Sequence, residues 1–261
     1  MKSILITGTR SGIIASVIKK LLNKNYKLYL TVHTNEELEK IKEKYIKYKN
    51  VECFKLDVLN KEDKNKLKSL DIDILISNAA ISYGGSISEL PIEKLRENFE
   101  VNVFSNFEIV QIVLKNMIKK DKGKIIMISS LSGLVPLKFI GGYSATKASI
   151  IKLTETLKSE IKLISKNIKI VLVEPGMYHT GFNQYMLENK YDWMNKKSYF
   201  KEELEYIRKQ ENLLFKIFEL KKLDSIANPI YKAVVCKNPP FLVRAPLYQV
   251  IGAKIYLLFK A

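Results

Sequence analysis

From residue 3 to about residue 175, short runs of consecutive apolar residues alternate with longer stretches whose apolar positions recur every three or four. The runs at 3–7, 27–32, 51–56, 72–77, 124–129 and 168–173 have the length and β-branched content of strands covered on both faces. Helical spacing follows the first run in Ala15, Ile18, Leu21 and Leu22, and it marks 35–48, 60–69, 101–119 and 143–165. Pro91 reads as a helix start after the loop at 78–90. Repeated βα alternation predicts an α/β fold, a doubly wound parallel sheet with helices on both faces and right-handed crossovers. Ligands of such sheets bind beyond the carboxyl ends of the strands, where the strand order reverses. The residues just after each strand are therefore the ones to inspect.

Past Gly176 the rhythm breaks. Aromatic residues accumulate (Phe182, Tyr185, Tyr191, Trp193, Tyr199 and Phe200) before a charged amphipathic helix at 201–222. A helix at 225–236, a strand at 241–244 and an apolar C-terminal stretch complete the pattern. No internal repeat or linker interrupts it, which predicts one domain over 1–261 containing an insertion at 181–222.

Composition narrows the class. A 47% hydrophobic fraction excludes disorder, and the longest stretch free of charge, 74–88, is too short and too polar to span a membrane. The opening residues run directly into a strand, so no signal peptide is expected. Two cysteines, Cys53 and Cys236, suit a reducing, cytoplasmic setting. The formal charge of +17 raises the question of nucleic acid. Only four of the cations are arginine (Arg10, Arg96, Arg208, Arg244), and the lysines spread along helix faces, so most read as solvated surface and no nucleic-acid partner is expected.

The first strand ends in Thr7-Gly8-Thr9-Arg10-Ser11-Gly12-Ile13, a turn whose glycines let backbone N–H groups approach a pyrophosphate at a helix N-terminus. Two glycines four apart equally suit a plain strand-to-helix turn. Specificity comes from the other strand ends: Asp57-Val58, Asn78-Ala79-Ala80, Asn102, Ser130, Tyr143 with Lys147, and Pro175-Gly176 with Thr180. Tyr-x-x-x-Lys occurs three times, but only Tyr143/Lys147 follows a Ser129-Ser130-x-x-Gly133 segment, with Ser130 thirteen residues upstream. Tyr45/Lys49 and Tyr256/Lys260 have no such company. In this order and spacing, residues 3 to about 182 resemble the short-chain dehydrogenase/reductase family in its single-domain, Rossmann-type branch, with looser similarity over 223–246.

The resemblance implies hydride transfer between a nicotinamide cofactor and a carbonyl or secondary alcohol. Tyr143 would be the acid/base, Ser130 would hold the substrate oxygen, and Lys147 would lower the phenol pKa and bind the nicotinamide ribose. Tyr143 and Lys147 lie one helical turn apart, so both can face the same side, and a neighbouring ammonium favours a phenolate. By the same resemblance Asn102 anchors a water in a proton relay, or else is a buried amide satisfying backbone groups. Gly8, Arg10, Ser11, Gly12, Ile13, His33, Asp57, Val58, Asn78, Ala79, Pro175, Gly176 and Thr180 would border the cofactor. Asp57 would accept from the adenine amine, or else form a turn; Asn78 would brace neighbouring strands; Thr180 would bond the carboxamide, or else cap a helix.

No acid follows the second strand until Glu36, and Arg10 could neutralise a 2′-phosphate with His33 or Thr34 assisting, so NADP(H) is favoured over NAD(H). Ile14 departs from the family pattern, which has glycine there for close helix–strand packing; a tilted first helix or weaker cofactor grip is expected. The 181–222 insertion would be a substrate-binding lid. Phe182, Met186, Leu187, Trp193, Met194 and Phe200 would line an apolar cleft over the nicotinamide, or else form core. Segments 174–182 and 241–246 resemble family members acting on lipophilic alcohols and ketones such as retinoids, steroids or long-chain bases. A homodimer or homotetramer is the family expectation, and the C-terminal stretch suits either a subunit interface or peripheral membrane contact. A non-catalytic NADP(H)-sensing protein on the same fold is the alternative.

Overall fold

The apolar runs become strands β1 (Lys2–Ile6), β2 (Tyr26–Val32), β3 (Val51–Lys55), β4 (Ile74–Ser77), β5 (Gly123–Ile128), β6 (Ile168–Pro175) and β7 (Leu242–Ala245). The helices are α1 (Gly12–Leu21), α2 (Asn35–Tyr45), α3 (Lys61–Lys66), α4 (Ile92–Phe99), α5 (Asn106–Lys119), α6 (Gly141–Ile164), α7 (Phe182–Met194), α8 (Leu204–Phe218), α9 (Asp224–Val235) and α10 (Leu247–Phe259). The structure is a computed structural model that describes residues 1–10 and 12–259. Ser11, assigned by sequence to the glycine turn, lies outside the described residues.

One seven-stranded sheet has the order β3-β2-β1-β4-β5-β6-β7, and every neighbouring pair is parallel. The order reverses between β1 and β4, which opens a crevice at their carboxyl ends. The continuous apolar runs have a simple cause. Alternate side chains of one strand enter different cores: Ile4 and Ile6 of β1 pack with Val17 and Ile18 of α1 and Ile226 and Ile230 of α9. Leu5 packs on the other face with Ile109 and Val113 of α5 and Ile150 of α6.

Ile14 joins the first of these cores, 1% exposed. The side chain that replaces a glycine is thus absorbed between α1 and its neighbours, while Gly12 at the head of α1 keeps φ near +76°. Three other features depart from the predicted pattern. The helix expected over 101–119 begins as a π-helical turn, Glu100–Ser105, before α5; such turns recur at functional sites because they re-aim a side chain. Residues 182–194 form α7, a helix whose apolar positions lack a clean stripe. Finally, α8 stops at Phe218 rather than running to 222. There the chain turns extended, and Leu220 bridges Tyr178, accepting from His179 N–H (2.9 Å) and donating to Met177 O (3.0 Å).

Candidate active site

The crevice is built from strand ends outward. At the end of β1, Thr7 Oγ1 accepts from the backbone N–H groups of Asn78 (2.9 Å) and Ala79 (3.0 Å), and Asn78 Nδ2 donates to Gly8 O (2.8 Å) and Thr7 O (3.2 Å). These bonds lock β1 to β4 at the switch point. A Cβ on Gly8, whose φ is +67°, would lie 2.9 Å from Ala79 Cα, so the two backbones approach closely only because this residue is glycine. On the other side of the turn a Cβ on Gly12 would sit 3.2 Å from Thr180 Cβ. Gly12 and Thr180 therefore face each other across a narrow cradle at the N-terminus of α1, where backbone N–H groups and the helix dipole favour an anion. Ile13 packs partly buried against the core, and Val58 is buried in the opposite core rather than in the crevice.

Farther out, Arg10, His33 and Asp57 gather at the ends of β1, β2 and β3. His33 Nε2 lies 3.7 Å from an Asp57 carboxylate oxygen, and Asp57 Oδ1 accepts from Leu59 N–H (2.9 Å), an Asx-type turn. Arg10 is not free: Nη1 pairs with Glu37 at 2.9 Å, and the other Glu37 oxygen accepts from His33 N–H at 3.1 Å. The acid that reaches this cluster is Glu37, in the first turn of α2 and not at the end of β2. Its signal is the Thr34-x-x-Glu37 spacing of a capping box, and Thr34 Oγ1 does cap α2 by accepting from Glu37 N–H (3.2 Å).

On the far side of the crevice, β5 and α6 supply the polar groups. Ser129 Oγ donates to Lys147 O (2.8 Å), and a Cβ on Gly133 would lie 2.7 Å from Lys147 C and 2.8 Å from Ala148 N. The segment carrying Ser130 is thereby seated directly on the α6 backbone, next to Tyr143 and Lys147. Ser130 Oγ accepts from Ser132 N–H (3.1 Å) and reaches Pro175 O at 3.5 Å. Lys147, 3% exposed, donates to Ile128 O (3.1 Å), and its Nζ is 5.4 Å from the centre of the Tyr143 ring. The ring of Tyr143 is half-buried beneath Phe182, with centroids 5.6 Å apart. For Gly133→Ala we expect an overpacked contact that lowers unfolding free energy by about 1–3 kcal/mol, read by urea denaturation. A variant as stable as the parent would mean that Ser130 is not held in this way.

Burial dominates the electrostatics of both Tyr143 and Lys147. Burial pushes the Tyr143 phenol above its ordinary range, with the Ser130 hydroxyl pulling the other way; burial also pulls Lys147 down to about 8. Desolvation is the largest influence on both groups in the protein alone. Asn102 is wholly buried in the π-turn, its Oδ1 accepting from Ile81 N–H (2.8 Å) and its Nδ2 donating to Ile81 O (2.9 Å) and Thr146 Oγ1 (3.0 Å). That side chain ties the 78–81 loop to α6. Gly176, following Pro175, packs against α10, where Gln249 Oε1 accepts from Met177 N–H (2.6 Å).

Above the crevice, α7 and the turn that follows it close over the 84–89 loop. Trp193 Nε1 donates to Gly84 O (3.1 Å), and Tyr199 N–H donates to a Glu89 carboxylate oxygen (2.9 Å). Tyr191, Met194 and Leu204 form a small core with Phe139, Leu187 and Phe200, and Met186 is also buried. Of the residues read as a cleft lining, Leu187, Trp193, Met194 and Phe200 thus pack into this local core, leaving Phe182 against the phenol.

The profile of the short chain dehydrogenase family matches residues 2–191. The chain belongs to the short-chain dehydrogenase/reductase family. A probable short-chain type dehydrogenase/reductase VdlC from Helicobacter pylori is 32% identical over 201 residues, covering 71% of this chain and 68% of that protein. A 3-ketodihydrosphingosine reductase from Bacteroides thetaiotaomicron is 29% identical over 255 residues, covering 96% of this chain and 90% of its own length. Among solved structures, a short-chain dehydrogenase/reductase from Burkholderia phymatum in complex with NAD superposes with a TM-score of 0.81 at 20% identity, covering 97% of this chain and 92% of that one. As a short-chain dehydrogenase/reductase, the protein is an oxidoreductase acting on an alcohol or carbonyl group with a nicotinamide cofactor. The glycine cradle at Gly8 and Gly12, open to backbone approach and set at a helix N-terminus, fits the pyrophosphate of such a cofactor.

Proposed function

We propose that this oxidoreductase is an NADP(H)-dependent reductase of apolar ketones, or in reverse a dehydrogenase of lipophilic secondary alcohols, with Tyr143, Ser130 and Lys147 as its catalytic residues. The observation that carries the reading is the seating of Ser130 on α6 beside Tyr143 and Lys147, with Phe182 over the phenol. The cofactor, when bound, supplies or accepts the hydride. Ser130 orients the substrate oxygen by donating a hydrogen bond. Tyr143, kept protonated by burial, delivers its proton to that oxygen as negative charge develops there. Lys147, anchored on Ile128 O, sets the potential around the phenol and holds the nicotinamide ribose. In the reverse direction the phenolate takes the alcohol proton. Asn102 acts by fixing the loop beside α6, and its relay of protons through water belongs to this proposal too.

Arg10 supports the choice of NADP(H). It stands at the mouth of the glycine turn with two-thirds of its side chain exposed, and its partner Glu37 can be displaced by a 2′-phosphate, which offers a stronger anion to the guanidinium. The insertion over 181–222 serves as the lid, with Phe182 forming the apolar wall nearest the phenol. The curated relative named for 3-ketodihydrosphingosine supports a long-chain keto substrate. A thermal-shift series with NADPH, NADP, NADH and NAD tests the cofactor. We expect the phosphorylated pair to give the larger rise in Tm, since only the bound form is stabilised. Arg10→Ala should weaken NADPH roughly tenfold, and Glu37→Gln should strengthen it. Larger shifts with NADH and NAD would overturn the NADP(H) choice.

A further inference from the structure

Helix α10 is the unusual surface of this molecule. Only Val250 in it is buried, and from Ile251 to Phe259 every residue except Ala253 is exposed. Its sequence is nonetheless apolar: Leu247, Ile255, Leu258 and Phe259 project into solvent, Leu258 by 77% and Phe259 by 86%. A helix that is hydrophobic around its circumference is normally covered. At 13 residues it is about 20 Å long, and no helix among the described residues is long and apolar enough to cross a membrane.

The end of α8 lies against α10 and extends the surface. Phe218 stacks on Tyr248 with centroids 6.5 Å apart, and Tyr248 Oη and Gln249 Nε2 both donate to Phe218 O (3.0 and 2.7 Å). Leu213, Leu214 and Ile217 of that helix are exposed as well. Lys254 is the one charged residue of α10. Residues 225–261 contain Lys232, Lys237, Arg244, Lys254 and Lys260 and no Asp or Glu, within a chain of net charge +17.

We infer that α10, together with the last turns of α8, docks the protein onto an anionic lipid surface. The apolar side chains enter the boundary between headgroups and acyl chains, Tyr248 and Tyr256 sit at headgroup level, and Lys254 meets a lipid phosphate. Charge complementarity selects this occupant over a second copy of the chain. Pairing α10 with another α10 would oppose two cationic helices, each with Lys254 and no carboxylate, in molecules of net charge +17, whereas anionic lipid neutralises both the helix and the whole molecule. The placement has a consequence for the active site. Gln249 binds Met177 N–H beside Gly176, and α8 belongs to the helical insertion over Tyr143, so the docked face is continuous with the cover of the crevice.

Co-sedimentation of the full chain with phosphatidylcholine vesicles, with and without phosphatidylglycerol, tests this. We expect pelleting that needs phosphatidylglycerol and weakens as salt is added. In the Ile255→Glu/Leu258→Glu variant, binding should fall at least roughly tenfold, with thermal stability, NADPH-induced shift and gel-filtration volume unchanged. Two results would overturn the inference. One is a parent protein that does not pellet with anionic vesicles; the other is a double variant that elutes as a smaller species while vesicle binding persists, which would make α10 an interface between copies. The readouts need no turnover, so the outcome is independent of the proposed substrate and catalytic residues.

Discussion

Replacing Tyr143 by Phe is expected to lower ketone reduction by ~10²–10⁴-fold, the usual worth of a positioned general acid, while the NADPH-induced thermal shift stays close to that of the parent. The substitution removes one hydroxyl and preserves the ring that packs under Phe182 at 5.6 Å, so the fold and the cofactor cradle at Gly8 and Gly12 are left alone. The pH dependence follows from the same environment. Burial holds the phenol above its ordinary range, so the protonated form needed for reduction persists through neutral pH and the reduction rate should be flat there. Alcohol oxidation needs the phenolate, and its rate should climb with pH. Parent and variant are compared by NADPH oxidation on a panel of apolar ketones. Turnover in Tyr143→Phe within a few-fold of the parent would sink the assignment. Absence of turnover in both proteins, with the thermal shifts intact, would favour a sensing protein that binds the cofactor without reaction.

The parts of this site that were legible in sequence are those in which one residue type has one physical use. The apolar runs predicted six strands because both faces of the sheet are covered, and Ile4, Leu5 and Ile6 show the reason by entering two different cores. Proximity of Tyr143 and Lys147 follows from helical geometry, since four residues make about one turn. The less legible parts depend on contacts between segments distant in the chain. Helix α7 shows no helical stripe in sequence because its apolar residues serve two purposes: Tyr191 and Met194 fill a local core, while Trp193 reaches Gly84 and Phe182 reaches Tyr143. Glu37 is hard to read from sequence because its carboxylate folds back one turn to His33 N–H and Arg10, a contact set by capping rather than by position after the strand. Ile14 lies among the buried aliphatics of the α1 and α9 core, a neighbourhood that its position after the glycine turn does not reveal.

The lysines carry the same lesson. Reading them as solvated surface holds for most, yet Lys64, Lys124, Lys147 and Lys190 are all buried. Lys124 Nζ donates to the carbonyls of Ala233 and Val234 (2.6 Å each) and of Cys236 (2.7 Å), closing the C-terminal end of α9. Lys190 is neutralised by Glu211 within the insertion. Both find partners that composition cannot reveal. Lys147 is different: among the described residues its one hydrogen-bond partner is Ile128 O and none of their carboxylates pairs with it.

That difference predicts a stability cost built into the active site. In the folded protein Lys147 has its pKa pulled down from 10.5 to about 8 by burial. Below about pH 8 both folded and unfolded chains carry the charge, and the folded one holds it in a desolvated place. Between about 8 and 10.5 the unfolded chain binds more protons than the folded one, so this residue's contribution raises stability as pH rises. Lys147→Met removes the charge and keeps most of the volume. A shift of this size corresponds to about 3 kcal/mol, reduced by loss of the hydrogen bond to Ile128 O, worth ~1 kcal/mol. We expect the variant to be inactive yet roughly 1–3 kcal/mol more stable than the parent at pH 7, with the gap closing as both are taken towards pH 10. Urea denaturation of parent and variant at the two pH values measures it, and subtracting one from the other cancels the titration of surface lysines and tyrosines. A variant that is less stable at pH 7, or a difference that does not move with pH, would mean that the ammonium is solvated where it stands and cannot shape the potential around the phenol.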